Sequence, residues 1–142
     1  MMHIAPFDNQ NQPIVDVGND RVPLNYFNIV KLQKGQKYSY TLSDYESCIV
    51  PATGRVSVSV NNRQIAEIGL RIEDVWDGEP EGVYVPTALD CVVECISDSA
   101  EVFVAGAKYE ETLAPFAVLG HEIDMVQYGS DDTKTHRKIK HI

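Results

Sequence analysis

Hydrophobic and polar residues alternate along most of this chain with a period of two, the spacing at which successive side chains of an extended strand face opposite ways. The clearest case is 55–60, where Val56, Val58 and Val60 alternate with Arg55, Ser57 and Ser59, predicting a strand with one buried and one wet face. Asn61 and Asn62 follow, both tolerant of left-handed backbone, and 64–70 resumes the pattern, so the segment predicts a hairpin. Further strands are predicted over 26–32 (YFNIVKL), closed by Lys34 and Gly35, over 38–42 (YSYTL), closed by Ser43 and Asp44, and over 47–50, ended by Pro51. Residues 90–96 (DCVVECI) and 101–107 (EVFVAGA) form another pair around a turn at Ser97, Asp98 and Ser99.

The stretch 72–86 (IEDVWDGEPEGVYVP) predicts strand, loop, strand, with Val75 and Trp76 supplying the first apolar run and Val83, Tyr84 and Val85 the second. Asp77-Gly78 is a turn dipeptide, Pro80 disfavours helical backbone at Glu79, and Gly82 can take positive φ. Pro86 ends the second run because it has no N–H to give a ladder. The one helical candidate is 115–125. Residues 1–25 hold no period and read as an arm lying across the body. About nine short strands spaced roughly ten residues apart, with turn residues between them, specify a sandwich or small barrel. The expected organisation is an arm (1–25), one all-β jelly-roll or small-barrel domain (26–128) and a basic tail (129–142).

At 142 residues the chain fits one domain with a substantial core. No apolar run approaches the roughly 18 to 20 residues of a membrane helix, and the start lacks a signal-peptide pattern, so the expected location is cytoplasmic, with no membrane partner. The three cysteines suit reduced thiols. Cys91 and Cys95 lie in one predicted strand, roughly 13 Å apart at about 3.3 Å per residue, too far to bridge. A net charge of −9 argues against a nucleic-acid partner. The basic run at 134–141 (KTHRKIKH) is the exception, and reads as a solvated tail.

A small barrel invites comparison with cupins, whose metal site gathers imidazoles and a carboxylate from neighbouring strands. Gly35, Glu46 and Gly54 stand where the first cupin motif keeps its frame, but the intervening QKYSYTLSDY has no histidine. Pro86 is followed by Cys91 where the second motif has one. His3, His121, His136 and His141 lie off the central strands, so no metal or cofactor is expected. Glu73-Asp74, Glu110-Glu111 and Asp131-Asp132 are neighbours whose side chains diverge on a strand, which marks solvated charge. Nucleophile-elbow, phosphate-loop, dinucleotide and CxxC motifs are missing from the sequence. The candidate ligand-binding residues are Tyr38, Tyr40 and Tyr84, for stacking at a barrel mouth, Arg71, for a carboxylate, and Cys91.

Arg71, Trp76, Asp77, Gly78, Pro80, Tyr84 and Pro86, with Gly129, Thr135, Arg137 and Ile139 near the end, give the chain a further likeness. It resembles the N-terminal half of the 5-deoxy-glucuronate isomerase family of inositol catabolism, relatives of the 5-keto-4-deoxyuronate isomerases. Trp76 stands where that family usually has Phe. The resemblance implies a cupin fold and a sugar-acid ligand. It also implies that the family's metal ligands, histidines with a glutamate, belong to a second half and map onto no position here. A single half of a two-cupin protein is expected to expose an apolar face and to cover it as a homodimer or higher oligomer. The competing expectation is a non-catalytic module for a small sugar acid or a peptide.

Overall fold

In the computed structural model, which describes residues 8–142, the alternating segments form two antiparallel sheets packed face to face as an all-β cupin-like jelly roll. One sheet has five strands in the order β1 (Asn25–Gln33), β8 (Ser99–Lys108), β3 (Tyr45–Thr53), β6 (Gly82–Val85) and β9 (Phe116–Val118). The other has four, β2 (Lys37–Tyr40), β7 (Cys91–Cys95), β4 (Val56–Val60) and β5 (Arg63–Ile68). A separate two-stranded hairpin pairs β10 (Met125–Tyr128) with β11 (Arg137–Lys140).

The core is the set of inward positions that the alternation marks. Val56, Val58, Val93, Ile49, Val83, Val102 and Val104 are all fully buried, and each such side chain contributes about 1.5–3 kcal/mol of burial. Asn61 and Asn62 take positive φ, 47° and 61°, in the β4–β5 turn, as the hairpin requires. The first seven residues of the expected arm, with His3, lie outside the described residues. From Asn9 onward the arm follows the free edge of β1: the Val15 N–H donates to Phe27 O at 3.0 Å and the Phe27 N–H to Val15 O at 2.9 Å. The side-chain amides of Asn9 and Asn11 donate to Ile29 O and Lys31 O, both at 3.0 Å, so the edge is not left open to other chains.

Four expectations are corrected. β3 does not stop at Pro51 but runs on to Thr53, because the ring sits at a register shift between Pro51 and Thr53 where no ladder N–H is needed. Val75 and Trp76 form no strand: Asp77 Oδ2 accepts the N–H groups of Glu73 and Asp74 at 3.0 and 2.8 Å, folding the chain into turns with no ladder partner. The segment 115–125 is not an α-helix, since Phe116–Val118 adds to β6 as an edge strand and only the single 3-10 turn Gly120–Glu122 follows. The basic end is not a free tail either, because Arg137–Lys140 pairs with Met125–Tyr128.

Candidate functional site

The five candidate residues fall into three places. Tyr38 and Tyr40 on β2 lie opposite Val93 and Cys91 on β7 and face the barrel interior, their rings 5.8 Å apart. Tyr40 Oη lies 2.8 Å from Ser47 Oγ. Asn28, fully buried, donates from Nδ2 to Tyr38 Oη at 2.9 Å and to Asn11 O at 3.0 Å, and accepts Asn9 Nδ2 at 2.7 Å. Tyr26 Oη stands 3.4 Å from Tyr38 Oη. Burial pushes the Cys91 thiol up to about 12, against a smaller opposing hydrogen bond from Tyr40, and burial likewise raises the phenols of Tyr40 and Tyr26. The interior is a closed hydrogen-bonded cluster of neutral groups.

That donor set does not fit a cupin metal. The polar groups hydrogen-bonded in the cluster are phenols, an amide, a hydroxyl and a protonated thiol, without imidazole; the one carboxylate acting on Tyr26, that of Asp16, is exposed outside it. Among the described residues, no three His, Cys, Asp or Glu side chains are placed to hold an ion. His121, His136 and His141 are all exposed and away from the barrel strands, and His136 Nε2 pairs with Asp131 Oδ1 at 2.7 Å.

Tyr84 is elsewhere, because Val83 and Val85 on either side of it point inward and parity sends it out. On the outer face of the five-stranded sheet it donates to Glu46 Oε2 at 2.6 Å and stacks on Phe116 with ring centroids 5.1 Å apart. Burial and then the Glu46 carboxylate raise its phenol. Successive cross-strand partners make a row over all five strands: Phe27, Ala105, Cys48, Tyr84 and Phe116. Ile29, Phe103 and Val50 form a second row beside it. The outer face of the four-stranded sheet carries Lys37, Ser39, Ser57, Ser59 and Glu94 around a single valine, Val92, on β2, β7 and β4. One outer face is apolar and the other wet.

Arg71 lies in a third place, the loop 69–81, where its Nε donates to Gly78 O at 3.0 Å. With Trp76, Lys138 and Lys140 it lines a groove of about 580 Å³ between that loop and the β10–β11 hairpin. A Cβ on Gly78 would meet Leu70 O at 2.9 Å and Leu70 Cβ at 3.0 Å, so the Asp-Gly pair is fixed by close packing as well as by its turn. Gly129, at φ +86°, brings the hairpin connection against Thr135 O, leaving no room for a side chain.

Several contributors escaped the sequence reading. Asn28 had a signal: Tyr26, Asn28, Val30 and Leu32 share one face of the 26–32 alternation, so a polar residue was due inside. Ser47 shares the inward parity of Ile49 in the same way. Glu81, buried with Oε2 on the Gly69 N–H at 2.8 Å, had none, and Lys138 and Lys140 reach the groove only through hairpin pairing.

A family model described as the KduI/IolB family matches residues 2–142. Curated relatives include the 5-deoxy-glucuronate isomerases of Listeria innocua, 40% identical over 124 residues, and Geobacillus kaustophilus, 31% identical over 120. These alignments cover 85% and 81% of this chain but 45% and 44% of the relatives, so the chain spans about half their length. Among solved structures, an IolB-like protein from Salmonella typhimurium superposes with a TM-score of 0.73 at 21% identity, over 84% of this chain and 45% of that one. An RmlC-like cupin with a double-stranded β-helix fold from Methanocaldococcus jannaschii gives 0.51 at 17% identity, over 77% and 93%. The filled barrel, the Asp-Gly loop packed on Leu70 and the glycine-closed terminal hairpin are thus those of a cupin that belongs to the KduI/IolB family.

Proposed function

We propose that this chain is a metal-free cupin unit of sugar-acid metabolism that works by assembly, packing the outer face of its five-stranded sheet on a second cupin unit. The apolar rows through Phe27, Ala105, Cys48, Tyr84 and Phe116 and through Ile29, Phe103 and Val50 carry this reading. An outer sheet face is normally polar, as it is on the other sheet, and an apolar one of this extent marks a surface to be covered. A second copy of the chain satisfies it as a homodimer or higher oligomer. The free thiols Cys48, Cys91 and Cys95 favour a reducing, cytoplasmic setting.

The sugar-acid assignment follows the family and the activity named for the relatives. Aldose-ketose isomerisation on a metal needs an ion to polarise the reacting oxygens and a base to move the proton. The barrel interior offers neither a ligand set nor an ionised base, so no isomerisation step is assigned to this chain's own residues. Two measurements on the purified chain test the reading. Sedimentation at micromolar concentration should give a dimer or larger, and a clean monomer would overturn the assembly. Metal analysis with turnover of a 5-deoxyuronate should give neither bound ion nor product, and stoichiometric Zn, Mn or Fe with turnover would overturn the metal-free assignment.

A further inference from the structure

The groove beside the 69–81 loop carries an inference that goes beyond assembly and stands independently of it. Its volume, about 580 Å³, is ordinary for a small-ligand site. The chain is strongly acidic at net −9, yet Arg71, Lys138 and Lys140 all line this one groove.

The acids beside them are already engaged. Asp77 Oδ2 accepts two loop N–H groups, and Glu79 Oε2 takes Lys140 Nζ at 2.8 Å. Among the described residues, Arg71 and Lys138 have no carboxylate partner.

Arg71 is held in place. Its carbonyl accepts the Gly54 N–H at 2.6 Å, and its Nε is fixed on Gly78 O. The two terminal amino groups are left as a planar fork, the geometry that matches the two oxygens of a carboxylate. Trp76, 89% exposed, lines the same groove, and an aromatic ring at that exposure is more often a contact surface than packing. Two uncommitted cations flanked by two carboxylates balance a monoanion better than a multiply charged phosphate.

We propose that this groove binds a small monocarboxylate with a ring or apolar body, its carboxylate on Arg71 and Lys138 and its body against Trp76. Trp76 is the chain's only tryptophan, so its emission reports the site. The full chain is titrated with glucuronate, with glucose, which keeps the ring but lacks the carboxylate, and with inorganic phosphate. The expected result is a saturable change with glucuronate, none with glucose and a weaker one with phosphate. Lys138→Glu should weaken glucuronate about tenfold, the scale of one charge-assisted contact, with an unchanged melting temperature. Lys138→Gln gives a smaller loss and serves if the first variant misfolds. The proposal is overturned by the absence of saturation, by equal response to glucose or phosphate, or by full affinity in both variants. Emission that follows protein concentration alone would also overturn it, since the groove would then be an interface. Sedimentation reads assembly separately, so failure of either idea leaves the other measurable.

Discussion

Glu81 and Gly69 meet inside the protein: the buried carboxylate accepts the Gly69 N–H through Oε2 at 2.8 Å, while Oε1 takes the Gly120 N–H at 3.3 Å. One side chain thereby joins the end of β5, the start of β6 and the 3-10 turn. It closes the 69–81 loop at its base, which positions Arg71 and Trp76.

Replacing Glu81 with Ala leaves two buried N–H donors without an acceptor. At about 1–3 kcal/mol for each unsatisfied group, urea unfolding should show a loss of about 2–6 kcal/mol. Glu81→Gln, which keeps one acceptor oxygen, should fall between. A loss near zero for the alanine variant would mean that water replaces the carboxylate.

Gly78→Ala forces a methyl group against Leu70 O and Leu70 Cβ, backbone and a short stem that cannot swing away. The expected cost is about 1–3 kcal/mol. The loop moves with it, so Trp76 emission in the absence of ligand should shift as well. Unchanged emission and stability would show that the loop adjusts freely.

Ala105→Glu puts a charge in the middle of the apolar row, between Phe27 and Cys48, on a side chain that is exposed in the single chain. The assembled form should dissociate to monomer while the circular dichroism spectrum stays that of the parent. Retention of the parent's sedimentation coefficient would move the interface elsewhere.

Alkaline pH should destabilise the fold in a defined window. Burial raises Cys91 from 9.0 to about 12, so the unfolded chain releases this proton first as pH rises. The folded state's advantage is complete below about 9 and is lost progressively toward about 12, with Tyr40 and Tyr26 pulling the same way. Unfolding midpoints compared at about pH 8 and about pH 11 measure the slope, and Cys91→Ala should make it shallower.

The sequence by itself determined strands β1 to β8, the inward face of β4 and the β4–β5 turn. Each rests on local properties: the alternation at Val56, Val58 and Val60, and the tolerance of Asn61 and Asn62 for left-handed backbone. It also carried the likeness through Asp77, Gly78 and Pro86, and the lack of histidine in the barrel strands among the described residues. Tertiary structure alone decided that Phe116–Val118, within the expected helix 115–125, adds to β6, because an unpaired sheet edge outweighs weak helical propensity. It likewise separated the five candidate residues. Tyr38, Tyr40 and Cys91 share the interior, Tyr84 faces out by parity, and Arg71 and Lys138 line one groove only because β11 folds back on β10. Strand parity is written in neighbouring residues, whereas which strand edges and loops come together is fixed by pairing between segments far apart in the chain.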